Sequence, residues 1–90
     1  MMHSIEIINV IRNKIDLLDE QILDLLMQRF SISKEIGKIK ASDGINIGDP
    51  NREKEIIDRL AEKLEGKLDR KDIAAIFGPI YHISKKLQKE

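Results

Sequence analysis

Arg29 interrupts the apolar pattern in the first half of the chain, and a second cation, Lys40, follows it. They are eleven residues apart, and eleven helical steps of about 100° return to within about 20° of the same direction. Both therefore lie on one face of a predicted helix, roughly 16 Å apart along its axis, with Ser33 and Ile36 between them. Two long side chains that lean inward from these positions leave room for a small anion.

Arg29 has no acidic residue within one turn of this helix. The residues three and four positions away are Leu25, Leu26, Ile32 and Ser33. No local ion pair can neutralise the guanidinium, and burying an unpaired charge costs several kcal/mol. An acidic residue of a partner chain or an anionic ligand would satisfy it. For Lys40 the alternative is a solvated lysine at a helix end.

Arg12 is a third candidate, but it cannot join the other two from the same chain. It precedes Arg29 by seventeen residues, which is roughly 25 Å along a helix and about 100° around it. In an antiparallel dimer, the start of one long helix lies beside the far half of the other, so Arg12 would reach the partner's anion-binding face. The alternative is a surface ion pair with Asp16, worth a few tenths of a kcal/mol.

Polar residues also extend the apolar stripe of a second helical segment. Glu53 continues the line of Ile57 and Leu60, and Arg52 stands beside it. The ordinary interpretation is that both are exposed residues of a first helical turn, where a carboxylate also suits the helix dipole. Asp49 comes before the proline that begins this segment and is its predicted N-cap.

A third segment carries hydrogen-bonding side chains on its packed face. Phe77, Tyr81, Ser84 and Gln88 are spaced at i, i+4, i+7 and i+11, which is one face of a helix. Ser84 and Gln88 therefore place polar groups on the side that should be buried. The alternative for Gln88 is fraying near the C-terminus.

The composition excludes several classes of protein. The 90 residues include 16 basic and 16 acidic side chains and no cysteine. The balanced charge argues against nucleic-acid binding, and the lack of a polybasic run argues against a membrane surface. Disulfides and thiolate metal sites are excluded, and two isolated histidines lack metal-ligand spacing, so no metal or cofactor is expected. Without a membrane span or signal peptide, we expect a soluble, cytoplasmic protein.

The predicted fold is all-α, with three helices in a single domain over 1–90. The elements are helix 1 at about 5–41, a loop at 42–49, helix 2 at about 50–65 and helix 3 at about 70–88. Apolar residues spaced three and four apart define the helices, and Asp69 caps the third. Gly37 is unfavourable inside helix 1 unless another backbone or a ligand approaches closely. Gly78 and Pro79 are expected to kink helix 3.

Helix 1 is too long for a compact subunit. Some 37 residues at about 1.5 Å each give a rod of roughly 55 Å, whereas a globule of this size is roughly 30 Å across. Its apolar stripe would remain exposed beyond the rest of the chain. A second copy that covers the stripe is the simplest remedy, so we expect an obligate homodimer.

Taken together, eight residues resemble the pocket of the all-α chorismate mutases: Arg12, Arg29, Lys40, Asp49, Arg52, Glu53, Ser84 and Gln88. The matching segments are IRNKIDLLDEQILDLLMQR, KEIGKIK and DPNREKEI, followed by the Ser84-x-x-x-Gln88 pair. Their order and separations cover nearly the whole chain. The resemblance implies an intertwined helical homodimer with two pockets, each of which borrows one arginine from the partner.

The resemblance also implies an activity, the conversion of chorismate to prephenate by a [3,3] sigmatropic rearrangement in aromatic amino-acid biosynthesis. By position, Arg12 of the partner subunit would hold the ring carboxylate, with Ser84 nearby, and Arg29 the side-chain carboxylate. Lys40 and Gln88 would donate hydrogen bonds to the ether oxygen whose bond to carbon breaks. Arg29, Lys40 and Gln88 would then be the catalytic residues.

The remaining residues of the pattern would surround the ring hydroxyl of the substrate. They are Glu53, the backbone around Asp49 and the side chain of Arg52. Two other functions stay open: an isochorismate pyruvate-lyase on the same scaffold, and a non-catalytic helical dimer in which protein carboxylates meet Arg29 and Lys40. Docking to another enzyme of aromatic biosynthesis is a further possible partnership.

Overall fold

The computed structural model describes residues 3–89, and helices are the only regular secondary structure in that range. The helices are α1 (Ser4–Ser42), α2 (Pro50–Lys63) and α3 (Arg70–Gln88). The prediction of an all-α chain with three helices is confirmed. The molecule measures 65 × 29 × 15 Å, with a radius of gyration of 17.7 Å, whereas a compact chain of this length would have about 12 Å.

Side-chain caps begin the two shorter helices. The Oδ1 atom of Asp49 accepts a hydrogen bond of 3.1 Å from the backbone N–H of Arg52, with Pro50 at the first helical position. Asp69 does the same for α3, and its Oδ1 lies 3.0 Å from the backbone nitrogen of Asp72. These caps satisfy backbone donors that have no partner inside a helix, and so they fix where α2 and α3 start.

Helix α3 packs against both α1 and α2 and holds the subunit together. The buried apolar side chains are Phe30 of α1, Ile56 of α2, and Ile73 and Tyr81 of α3. This core is small for the length of the chain. It therefore anchors only the C-terminal part of α1, from about residue 26 onward.

The other end of α1 extends away from this core. Every residue of 4–25 is exposed, a stretch of roughly 33 Å at 1.5 Å per residue. It presents a row of large apolar side chains, of which Ile11, Ile15, Leu18 and Ile22 are each half or more exposed. The helix thus carries an uncovered apolar stripe, as its length predicts.

Helix α3 continues without interruption through Gly78 and Pro79. Proline lacks the N–H that would bond to the carbonyl of Ala75. Ala75, Gly78 and Pro79 are all exposed, so water can reach the carbonyl that loses its partner. Within residues 3–89, no helix is both long enough and apolar enough to cross a bilayer.

Candidate active site

A cavity of about 480 Å³ opens between the C-terminal half of α1, the start of α2 and the end of α3. Seven of the eight residues predicted from the sequence line it: Arg29, Lys40, Asp49, Arg52, Glu53, Ser84 and Gln88. Isoleucine side chains supply the apolar part of its wall: Ile32, Ile36, Ile47 and Ile56. Charged and amide groups thus converge on a space that is partly shielded from water.

The guanidinium of Arg29 is held by neutral groups of α3. Its Nη1 donates a hydrogen bond of 3.2 Å to the Oγ of Ser84, and its Cζ lies 5.4 Å from the centre of the Tyr81 ring. No ion pair joins Arg29 to a carboxylate within residues 3–89. A hydroxyl and an aromatic face orient the guanidinium without cancelling its charge.

Lys40 lies at the other end of the same face of α1. Its Nζ donates a hydrogen bond of 3.2 Å to the backbone carbonyl of Ile47 in the connecting loop. This bond ties the loop to the helix that it follows. Because an ammonium group carries three donors, Lys40 keeps donors for a ligand in the cavity.

Gln88 is half-buried and lies against Gly37 of α1. Its Oε1 atom is buried and has no hydrogen-bond partner within residues 3–89. Because Oε1 is an acceptor, only a donor group could satisfy it, and its present state carries a free-energy cost. The nearest atoms of α3 to Gly37 belong to Gln88, which also lines the cavity.

The first turn of α2 contributes charges of both signs. The Oε2 atom of Glu53 forms an ion pair with the Nζ of Lys85 at 3.1 Å, and the hydroxyl of Tyr81 donates to the backbone carbonyl of Glu53 at 3.4 Å. Arg52 pairs with Glu55 at 2.9 Å on an exposed surface. The carboxylate of Asp49 is engaged as the N-cap.

A model of the family described as "Chorismate mutase type II" matches residues 11–89 of this chain. The match covers far more than half of the sequence and includes the whole cavity. The chain belongs to the type II chorismate mutase family. A chorismate mutase from Methanocaldococcus jannaschii is 40% identical over 87 residues, which are 96% of this chain and 88% of that protein.

A solved chorismate mutase structure from Thermus thermophilus, form II, has the same fold. It superposes with a TM-score of 0.88 at 29% identity, over 94% of this chain and 97% of that one. A bifunctional chorismate mutase/prephenate dehydratase from Aquifex aeolicus is 42% identical over 50 residues. This chain spans only 14% of the length of that bifunctional protein.

Arg12 is the one residue of the chorismate mutase pattern that lies outside the cavity. It is exposed, as is every residue of 4–25. A single subunit therefore presents seven of the eight residues and lacks the eighth. The sequence-based assignment of Arg12 to the pocket of a partner remains a prediction.

Two further residues, Tyr81 and Lys85, line the cavity without having been predicted to do so. The spacing of α3 puts Tyr81 on the packed face, but its contact with Arg29 depends on how α1 crosses α3. Lys85 lies at the edge of that face. The one feature of the sequence that could have indicated its role is Glu53, a carboxylate on an otherwise apolar stripe that needs a counter-ion. Burial raises the pKa of the Tyr81 phenol above its ordinary value, and the nearby Arg29 partly opposes the shift.

The formal charges in this chorismate mutase cavity leave a positive surplus. Four cations line it: Arg29, Lys40, Arg52 and Lys85. Two carboxylates do so, those of Asp49 and Glu53. This formal surplus of two positive charges on the lining favours an anionic ligand.

Proposed function

We propose that this chain is a chorismate mutase that converts chorismate to prephenate in the cavity between its three helices. The observation that carries the proposal is the state of Arg29 and Lys40. They line one cavity, and their contacts there are neutral groups: a hydroxyl, an aromatic ring and a backbone carbonyl. A non-catalytic scaffold would need carboxylates at these positions, whereas a doubly ionised substrate supplies them itself.

The rearrangement needs no nucleophile and no proton transfer, because one C–O bond breaks and one C–C bond forms within a single molecule. Its barrier falls when the flexible enolpyruvyl arm is held over the ring, which removes an entropic cost. In the proposed pose, Arg29 binds the side-chain carboxylate. Arg12 of the partner subunit binds the ring carboxylate, with Ser84 nearby.

Negative charge develops on the ether oxygen as its bond to carbon lengthens. Donors that are already aimed at this oxygen stabilise the transition state more than the ground state. We assign this role to Lys40 and Gln88. The free donors of Lys40 and the place of Gln88 on the cavity wall support the assignment, in which the Nε2 of Gln88 would be the donor.

The ring hydroxyl of the substrate would be bound at the start of α2. Glu53 would accept its hydrogen bond, and the backbone around Asp49 and the side chain of Arg52 would complete this part of the pocket. Their positions on the cavity wall support the proposal.

We further propose that the enzyme is a cytoplasmic homodimer in which each pocket takes Arg12 from the other subunit. The uncovered stripe of α1, with its exposed isoleucines and leucines, supports a second copy as its cover. Covering such a stripe removes a large apolar area from water, and each Å² of buried apolar surface contributes about 25 cal/mol of favourable free energy. Docking of this dimer to another aromatic-pathway enzyme is a separate proposal, and the proposed activity does not depend on it.

The test is to incubate the purified protein with chorismate and follow its depletion and the formation of prephenate. Isochorismate in a parallel reaction, with pyruvate as the measured product, examines the lyase alternative. We expect prephenate from the first reaction and no catalysed pyruvate release from the second. Failure to consume chorismate, together with no rise in melting temperature at millimolar diacid, would overturn the proposed function in favour of a scaffold.

A further inference from the structure

Lys85 makes the ion pair that holds Glu53 at the cavity. The Nζ of Lys85 lies 3.1 Å from Oε2 of Glu53, and their side chains are 42% and 24% exposed. Both residues line the cavity. The pair joins the end of α3 to the first turn of α2, so it acts at the site rather than on a remote surface.

A second contact joins the same two elements one helical turn away. The hydroxyl of Tyr81, four residues before Lys85, donates to the backbone carbonyl of Glu53 at 3.4 Å. Residues four apart lie on the same face of a helix. Helix α3 therefore holds Glu53 at two points, its backbone through Tyr81 and its carboxylate through Lys85.

The pairing leaves part of the Glu53 carboxylate for a ligand. Lys85 contacts Oε2, and Oε1 can accept a hydrogen bond from a neutral hydroxyl. It also removes an electrostatic conflict, because an unpaired carboxylate in this cavity would repel a dianion. Without Lys85, the positive surplus of the cavity would fall from two charges to one.

We propose that Lys85 is a positioning residue for the chorismate mutase reaction, which orients and neutralises Glu53 so that this carboxylate can bind the substrate hydroxyl. The inference rests on the proposed function. The hydroxyl does not react, so its contact contributes equally to the ground state and the transition state. Loss of Lys85 should therefore raise KM more than it lowers kcat.

The experiment compares Lys85→Met with wild type, with Lys85→Arg as the conservative variant and Lys86→Met as the matched control. Lys86 is the next residue on α3 and is exposed outside the cavity. We expect Lys85→Met to raise KM for chorismate about five- to tenfold and to change kcat about twofold at most. Lys85→Arg should restore most of the loss, and Lys86→Met should behave as wild type.

The same substitution is then made in a Glu53→Gln background. Because that background has no carboxylate to hold, Lys85→Met should there raise KM by about twofold or less. An equal loss in both backgrounds would overturn the proposal, since Lys85 would then act on the substrate or on the fold. Wild-type kinetics in Lys85→Met would also overturn it. Wild-type protein that fails to convert chorismate would instead overturn the proposed function, and this inference with it.

Discussion

Gly37 of α1 and Gln88, the last residue of α3, are in direct contact. A Cβ placed on Gly37 would lie 2.8 Å from the Cβ of Gln88 and 3.0 Å from its Cα. No side chain larger than hydrogen fits there unless a backbone moves. The contact explains why a residue that is unfavourable in a helix by roughly 1 kcal/mol occupies this position.

Replacing Gly37 with alanine should therefore affect both the fold and the site. The added methyl must push α3 away, because one of its nearest atoms belongs to the backbone of Gln88. We expect Gly37→Ala to lower the free energy of unfolding by about 1–3 kcal/mol, as overpacking does. Since Gln88 moves with the helix, kcat should fall about tenfold or more.

Urea unfolding and steady-state kinetics measure the two effects of Gly37→Ala. Gly48→Ala is the control, because a Cβ at Gly48 has open space around it. We expect that control to retain wild-type stability within about 0.5 kcal/mol. A Gly37→Ala enzyme as stable and active as the wild type would contradict the importance of this contact.

The regular geometry of the α-helix explains how much of the site the sequence could predict. An α-helix fixes the direction of each side chain by its position alone, so Arg29 and Lys40 could be assigned to one face without coordinates. The caps at Asp49 and Asp69 depend on neighbours three residues away and are equally local. These features require no knowledge of how the helices pack.

Contacts between helices cannot be predicted from the geometry of a single helix. The hydroxyl that meets Arg29 is on Ser84, 55 residues away, and the ion pair of Glu53 with Lys85 joins two helices. Both depend on the crossing of α3 with its neighbours, which the small glycine at residue 37 helps to set. The spacing of residues along one helix carries no record of such crossings.

Lys40 provides a test of transition-state stabilisation. If its ammonium donates to the ether oxygen, Lys40→Ala should lower kcat/KM by a factor on the order of 10² or more, as loss of an oxyanion donor does. Lys38→Ala is the matched control, since Lys38 is an exposed lysine two residues earlier that does not line the cavity. Near-normal turnover in Lys40→Ala would refute the role assigned to Lys40.

Substitution of Arg29 should lower kcat/KM as much as substitution of Lys40, but for a different reason. Arg29→Ala removes the charge that the side-chain carboxylate of the substrate requires and leaves the Oγ of Ser84 without this donor. We expect a loss on the order of 10² or more in kcat/KM. Circular dichroism should show an intact helical fold in the same sample. An unchanged kcat/KM would refute the assignment of Arg29 to the side-chain carboxylate.

The neutral side chain of Gln88 leads to a prediction for the pH dependence of the reaction rate. A neutral amide donates a hydrogen bond at any pH, so no loss of rate between about pH 7 and pH 5 should trace to this residue. A glutamate at the same position donates only when protonated, and its ordinary pKa is about 4.3. Gln88→Glu should therefore lose activity as the pH rises through the pKa of the new carboxyl. A Gln88→Glu enzyme that is as active as the wild type at pH 7 would contradict the assignment.

Tyr81 predicts how stability responds to alkali. Burial raises the pKa of its phenol above the ordinary value of 10.0, so the folded state binds the proton more tightly than the unfolded state does. The resulting stability is complete below about pH 10 and is lost as the pH rises through the folded-state pKa. In thermal melts above pH 10, the Tyr81→Phe variant should lose less stability with rising pH than the wild type, because it has no phenol to ionise.

Tyr81 is the only tyrosine in the sequence, so the ultraviolet absorbance of phenolate reports on it alone. We expect the folded protein to titrate above pH 10 and the urea-unfolded protein to titrate near about pH 10. Equal midpoints in the two states would mean that the phenol is solvated, and that its placement between Arg29 and Glu53 is wrong.

The position of Arg12 allows the shared pocket to be tested by mixing variants. Arg12→Ala and Arg29→Ala should each be nearly inactive alone, because each damages both pockets of its own dimer. In a mixed dimer, one pocket carries both substitutions and the other carries neither. Random reassociation of equal amounts makes half of the dimers mixed, so the mixture should recover about a quarter of wild-type activity.

The matched control for this experiment is a mixture of Arg29→Ala with Lys40→Ala. These two residues line the same cavity of one chain, so every pocket of a mixed dimer is damaged and no activity should return. Recovery in both mixtures would contradict a pocket that combines Arg29 and Lys40 from one chain with Arg12 from the other. Recovery in neither mixture, although mass spectrometry detects the mixed dimers, would mean that Arg12 acts on its own subunit, and a fully active Arg12→Ala enzyme would mean that Arg12 has no role.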